Sequence, residues 1–141
     1  MEKILEIEEG RSYNFKASAL SPIQYNRLFR GRDFIRDIET MAEKGQEAEE
    51  SETGTASLNL ENYEQFARLA YLFAWQGLAP TPAETQEQRD FREKYPDPWA
   101  WIDSFDTFSF YKLLPEIIDI WYGGDIRLVK AKKAEPTPPE K

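Results

Sequence analysis

The 141-residue chain contains no cysteine and no histidine. The first absence excludes disulfides, thiol nucleophiles and thiolate metal sites, and suits a reducing compartment. The second removes the usual general base near neutral pH and the commonest zinc ligand, leaving only carboxylate, Lys, Tyr or Ser/Thr chemistry. Positive charge is also scarce: 18 Lys and Arg stand against 26 Asp and Glu, a formal net charge of −8. Binding to nucleic acid through phosphate neutralisation, which needs clustered cations, is therefore not expected. No apolar run approaches the roughly 20 residues that span a bilayer, and the opening MEKILEIEEG lacks the apolar segment of a signal peptide. The expectation is a soluble intracellular protein with no membrane partner. A Gly-rich phosphate loop, a metalloprotease helix, an EF-hand loop and a nucleophile elbow are all missing from the sequence. That points away from an enzyme and gives no reason to expect a cofactor or a metal.

What the chain does have is aromatic residues, 14% of the total within a hydrophobic fraction of 40%. That is more than a disordered chain carries, while a mean hydropathy of −0.70 sends much of the polarity to solvated faces and tails. One domain's worth of chain can bury a modest core. The densest stretch is PDPWAWIDSFDTFSFYKLLPEIIDIWYGG, residues 96–124, with three of the four tryptophans. Its Phe110, Leu113, Leu114, Ile117, Ile118 and Trp121 recur at helical spacing and predict a helix with one strongly apolar face.

In chain order, KILEIEEGRSYNFKA alternates Ile4, Leu5 and Ile7 with Tyr13 and Phe15 around Gly10, which predicts a β-hairpin. Ser21-Pro22 followed by Gln24 reads as a capped helix start running to about Phe29, with Gly31 as a break and Asp33 capping a second helix on Phe34, Ile35, Ile38, Met41 and Ala42, or with one uninterrupted helix across Gly31 as the alternative. Residues 43–57 are acidic and almost without apolar groups, and read as a mobile loop or a fraying helix end. Asn59 or Asn62 caps a buried central helix through Trp75 that Gly77 ends, glycine being the usual left-handed helix terminator. The segment 81–95 is polar, with Phe91 and Tyr95 as its thin apolar stripe. Asp97-Pro98 opens a further turn, and Asp106 or Thr107 caps the last helix, which continues across Pro115 with a kink because the apolar stripe stays in phase. Phe110 to Ile118 is expected to pack against the helix at 60–75. The fold class is thus mainly α (α+β): a single domain over 1–128 with an N-terminal hairpin, then a disordered Lys/Pro/Glu tail at 129–141.

Two carboxylate pairs, Glu116 with Asp119 and Asp103 with Asp106, have the i, i+3 spacing that would present oxygens to magnesium or calcium, but an acidic chain carries such pairs as solvated helix faces. Arg27, Arg30, Arg32 and Arg36 form the one basic cluster. They could meet an acidic partner or phosphate, or pair with the acidic stretch at 43–52. Twenty aromatic residues exceed what a small helical core usually hides, so some should line an exposed groove or oligomer interface. The candidates for partner binding are Trp99, Trp101, Tyr111, Trp121 and Tyr122.

The hairpin with SYNFKAS, the helix SPIQYNRLFRG, the acidic break, the aromatic helix LENYEQFARLAYLFAW, the WAWIDSF segment and the Lys-rich tail together resemble the tail assembly chaperones of long-tailed bacteriophages with non-contractile tails. The resemblance spans about residues 3–122 and rests on layout, since the family has no diagnostic catalytic motif. It implies a mainly helical protein of the host cytoplasm that holds the aggregation-prone tape measure protein, helps recruit tail tube protein to it, self-associates as a homo-oligomer and is not part of the mature virion. It also implies a longer form made by frameshifting near the end of the reading frame, with Lys130 to Lys133 compatible with a slippery codon run. The other readings of the same residues are an acidic regulatory or inhibitory module that mimics nucleic acid, and an enzyme with a carboxylate-held metal.

Overall fold

A computed structural model describes residues 1–53, 58–79 and 83–123, with the side chains of Phe110 and Tyr111 outside that description. Among the described residues an antiparallel hairpin, β1 (Glu2–Glu8) and β2 (Arg11–Lys16), precedes six helices: α1 (Ser21–Leu28), α2 (Phe34–Glu50), α3 (Leu60–Gln76), α4 (Gln86–Lys94), α5 (Pro98–Asp103) and α6 (Phe110–Tyr122). The tail expected at 129–141 lies outside the described residues.

The hairpin forms where alternation predicts it. Gly10 takes the left-handed φ of +83° at the turn, and Leu5 pairs with Tyr13 and Lys3 with Phe15 across the strands. Ile7, Phe15 and Ala17 are buried while Ile4 faces solvent, the one-sided pattern of a sheet lying on a core. That core is α3. Its residues from Phe66 to Gln76 are all buried, so it has no solvated stripe, and its neighbours are β2, α1, α2, α4, α5 and α6. A helix surrounded in this way must be apolar nearly all round, which its sequence is.

The N-termini of the helices divide into satisfied and redirected caps. Asp33 accepts from the Arg36 N–H at 3.3 Å, and Asp97 accepts from the Ala100 N–H at 2.8 Å. Asn59 and Asn62 bond reciprocally at the start of α3, as do Thr85 and Gln88 at the start of α4. The expected cap at Ser21 does not form: Leu20 stands at the cap position without a side-chain bond. The Ser21 hydroxyl is turned inward instead, donating to Gln76 Oε1 at 2.6 Å. Neither Asp106 nor Thr107 caps α6, which starts after Ser109. Their backbone N–H groups donate to Glu8 Oε1 at 2.8 and 3.2 Å. In both places a tertiary partner has replaced the local one, which sequence spacing cannot reveal.

Two further expectations change. Residues 43–50 are helical, the last half of α2, and the chain leaves the helix only after Glu50. α2 packs on α6, where Gly45 closely approaches Ile118, Met41 and Ala42 are buried, and helix propensity carries the chain on through the acidic residues. Gly77 ends α3 with a right-handed φ of −67°, so its glycine is not needed for a left-handed turn. A Cβ there would stand 1.5 Å from the Asn14 carbonyl oxygen; the requirement is the close passage of β2 over the end of α3. The last helix packs against α3 as expected, and more extensively on α2. Pro115 lies within one continuous helix.

Most of the described aromatic rings fit inside. Trp101, with no exposed surface, is ringed by Tyr13, Phe91, Phe105, Tyr71 and Phe108 at centroid distances of 5.4–6.1 Å and steep interplanar angles. Edge-to-face contact places positive ring edges on negative ring faces. It lets the hairpin, α3, α4 and α5 meet in one cluster without aliphatic filler.

Candidate functional site

The residues that could serve a partner are found at the corner where α1 turns into α2. Its inner side is closed by a polar network. Tyr25 of α1 donates its hydroxyl to Asp37 Oδ2 on α2, and Gln65 Nε2 of α3 donates to Asp37 Oδ1 at 2.9 Å. Arg68 of α3 donates through Nε to the Tyr25 oxygen at 3.2 Å and brings Nη2 within 3.6 Å of Asp37. Asp37 and Arg68 are each 5% exposed, so each charge depends on the other for the solvation it has lost. Burial, and then the neighbouring Asp37 carboxylate, hold the Tyr25 phenol far above its ordinary range.

The outer side of the same corner is open. Ile23, Arg27 and Arg30 recur at i, i+4 and i+7 along α1 and its exit, all exposed. Gly31 then takes a φ of +76°, reversing the chain so that Arg32 and the first-turn residues Ile35 and Arg36 of α2 are exposed too. Ile23 is 49% and Ile35 43% exposed. Among the described residues the four guanidinium groups make no ion pair and no hydrogen bond. The pairing expected with the acidic stretch is not made, for a geometric reason. Because α2 continues as a helix, Glu43 to Glu50 lie roughly 10–21 Å beyond Arg36 along its axis. The corner is therefore a basic patch carrying two exposed isoleucines on a chain of net charge −8.

The aromatic candidates scatter. Trp99 is 42% exposed on α5. Trp101 is core and presents no surface to a partner: the helical turn that points Trp99 outward directs the residue two positions on inward, against Tyr71 and Phe15. Trp121 is half-buried, its ring 4.7 Å from that of Phe34 at 73°. Tyr122 is half-buried as well, and burial raises its pKa. The Tyr111 side chain lies outside the described residues. An aromatic groove is thus not formed among the described side chains, of which only Trp99 is an exposed ring. The basic corner, in contrast, is assembled by adjacent residues, and the run of arginines was the signal for it.

The carboxylate pairs have structural occupations. Glu116 and Asp119 share the Lys3 ammonium at 2.7 and 3.1 Å, joining α6 to β1 and raising the Lys3 pKa. Asp103 closes α5 while Asp106 lies beyond it, so that pair does not share a helix face. Among the described residues no three acidic side chains come together as metal ligands, and no helix is long and apolar enough to cross a membrane. Compared with protein-family models, with curated proteins and with solved structures, the chain matches none.

Proposed function

We propose that this protein acts by binding another protein, without catalysis, as an assembly chaperone of the phage tail type that keeps the tape measure protein soluble and helps bring tail tube protein to it. The observation that supports this reading is the basic corner: guanidinium groups with no partner among the described residues, beside exposed isoleucines, on a chain of net charge −8. An amphipathic helix laid on it would set apolar residues on Ile23 and Ile35 and carboxylates among Arg27, Arg30, Arg32 and Arg36, the anchor pattern of helix recognition. Charge at the rim of such a surface steers and selects, while the apolar centre holds. A chaperone that lets go needs a modest surface of this sort more than a deep pocket. The layout resemblance supplies the partner, the self-association, the host cytoplasm and the absence from the finished tail.

Co-expression tests it. With the chain present the tape measure protein remains in the soluble fraction, and it precipitates when Ile23 and Ile35 are both replaced by Asp. Equal solubility with and without the chain contradicts the reading, and retention of the chain on DNA at low salt would assign the arginines to phosphate.

A further inference from the structure

The two edges of the hairpin differ. Along β2 the end of α3 lies against the strand: Asn14 Nδ2 donates to the Gly77 carbonyl at 3.3 Å and Lys16 Nζ to the Ala79 carbonyl at 3.2 Å. On the other strand, Met1 and Ala17 exchange both backbone hydrogen bonds at 2.9 Å. Antiparallel alternation then makes Lys3–Phe15 and Leu5–Tyr13 the next hydrogen-bonded pairs. The N–H and C=O of Glu2 and Ile4 therefore point away from β2, and among the described residues no group bonds to them. The contact of α6 with β1 runs through Lys3 on the inner face, while Ile4 is 73% exposed.

An open strand edge accepts further strands unless charge blocks them. The outer face of β1 sets Glu2 and Glu6 two residues to either side of Ile4, all three exposed. Each carboxylate accepts one neutral hydrogen bond, Glu2 from Asn14 Nδ2 at 2.8 Å and Glu6 from the Gly10 N–H at 3.2 Å. Neither meets a cation among the described residues. A second copy paired antiparallel about Ile4 would set Glu2 against Glu6 twice, and like charges directly opposite one another destabilise a pairing. A strand with cations at those two places gains where the copy loses.

We propose that the free edge of β1 takes an extended segment of a partner protein in which an apolar residue is flanked, two positions away on each side, by Lys or Arg. The segment adds antiparallel to β1. Its apolar residue lies opposite Ile4 and exchanges both backbone hydrogen bonds with it, and its cations lie opposite Glu2 and Glu6. The main chain supplies the affinity and the alternate side chains select the sequence. This edge is separate from the basic corner and takes a ligand of the opposite charge, so it goes beyond the chaperone reading.

The test follows the backbone amides of the full chain by NMR as an acetylated, amidated Thr-Lys-Thr-Val-Thr-Lys-Thr peptide is added. The Ile4 amide shifts to saturation and its hydrogen exchange slows, while the amides of Arg30 and Arg32 stay in place. N-methylation of the peptide's valine, whose N–H meets the Ile4 carbonyl, weakens binding about tenfold. N-methylation of the threonine beside it, whose N–H faces away, has a much smaller effect. Replacing both lysines by glutamine weakens binding about fivefold, and the double variant Glu2→Lys with Glu6→Lys prefers a peptide with glutamates in place of the lysines. An Ile4 amide that does not respond, equal losses from the two methylations, or no preference between lysine and glutamate peptides would overturn the proposal. So would an Ile4 amide already protected from exchange in the free chain, because another part of the chain or a second copy would then fill the edge. Solubility of the tape measure protein is a separate readout: its failure leaves the strand edge standing, and a silent Ile4 amide leaves the basic corner standing.

Discussion

The two faces of this molecule treat charge in opposite ways. Where β1 lies beside α6 and the segment that follows α5, charged groups join the elements: Lys3 is held by Glu116 and Asp119, and Glu8 accepts from the backbone of Asp106 and Thr107. Arg11 lies 3.8 Å above the Phe105 ring and donates to the Ser104 carbonyl at 2.7 Å. At the α1–α2 corner the charges that face inward are engaged and those that face outward are not. Asp37 and Arg68 close the helix junction, while Arg27, Arg30, Arg32 and Arg36 have no partner among the described residues. On the first face charge joins the hairpin to the helices. On the second a buried ion pair closes the junction beneath arginines that have no partner among the described residues.

This contrast fixes an order of stabilities. Asp37→Ala leaves Arg68 buried and uncompensated and removes the acceptor of Tyr25 and Gln65; it should cost about 3–5 kcal/mol in urea unfolding. A loss under about 1 kcal/mol would mean that the junction is not what holds the corner. Glu8→Ala strips two backbone N–H groups of their acceptor at a partly solvated site and should cost about 1–2 kcal/mol. Lys3→Met should cost no more than about 1 kcal/mol, since ion pairs open to solvent are screened. Its effect has a pH signature. The Lys3 pKa is raised, chiefly by hydrogen bonding to Glu116 against the opposing effect of burial, so the stabilisation is complete below the free ammonium's 10.5 and disappears as pH rises through the folded value. The wild-type and Lys3→Met unfolding curves should therefore converge in alkali. Smallest of all, Arg30→Gln should leave stability within about 0.5 kcal/mol of wild type; a larger loss would show that the corner's arginines serve the fold.

The sequence already contained most of the architecture because it is written in local terms. Gly10 in the hairpin, Gly31 at the corner, Asn59 and Asp97 as caps and the predominantly apolar course of α3 all derive from spacing and residue type. What was not legible depends on groups distant in sequence. Ser21 leaves its cap for Gln76, 55 residues away, and the N–H groups of Asp106 and Thr107 turn to Glu8, nearly a hundred residues earlier. Gly77 is required by a carbonyl of another element. The aromatic candidates divided for the same reason: Trp99 and Trp101 are two residues apart, and only the position of Tyr13, Tyr71 and Phe91 decides which is core. The arginines were legible as a cluster, but their lack of partners among the described residues depends on α2 continuing as a helix to Glu50.

The most direct measurement replaces Arg27, Arg30, Arg32 and Arg36 together by Glu, verifies that the thermal unfolding temperature is unchanged, and monitors the solubility of the co-expressed tape measure protein. The expected outcome is a folded chain that no longer keeps its partner in solution, with Trp99→Ala much less affected. A folded four-fold variant that solubilises the partner as well as wild type would show that the basic corner is not the binding surface.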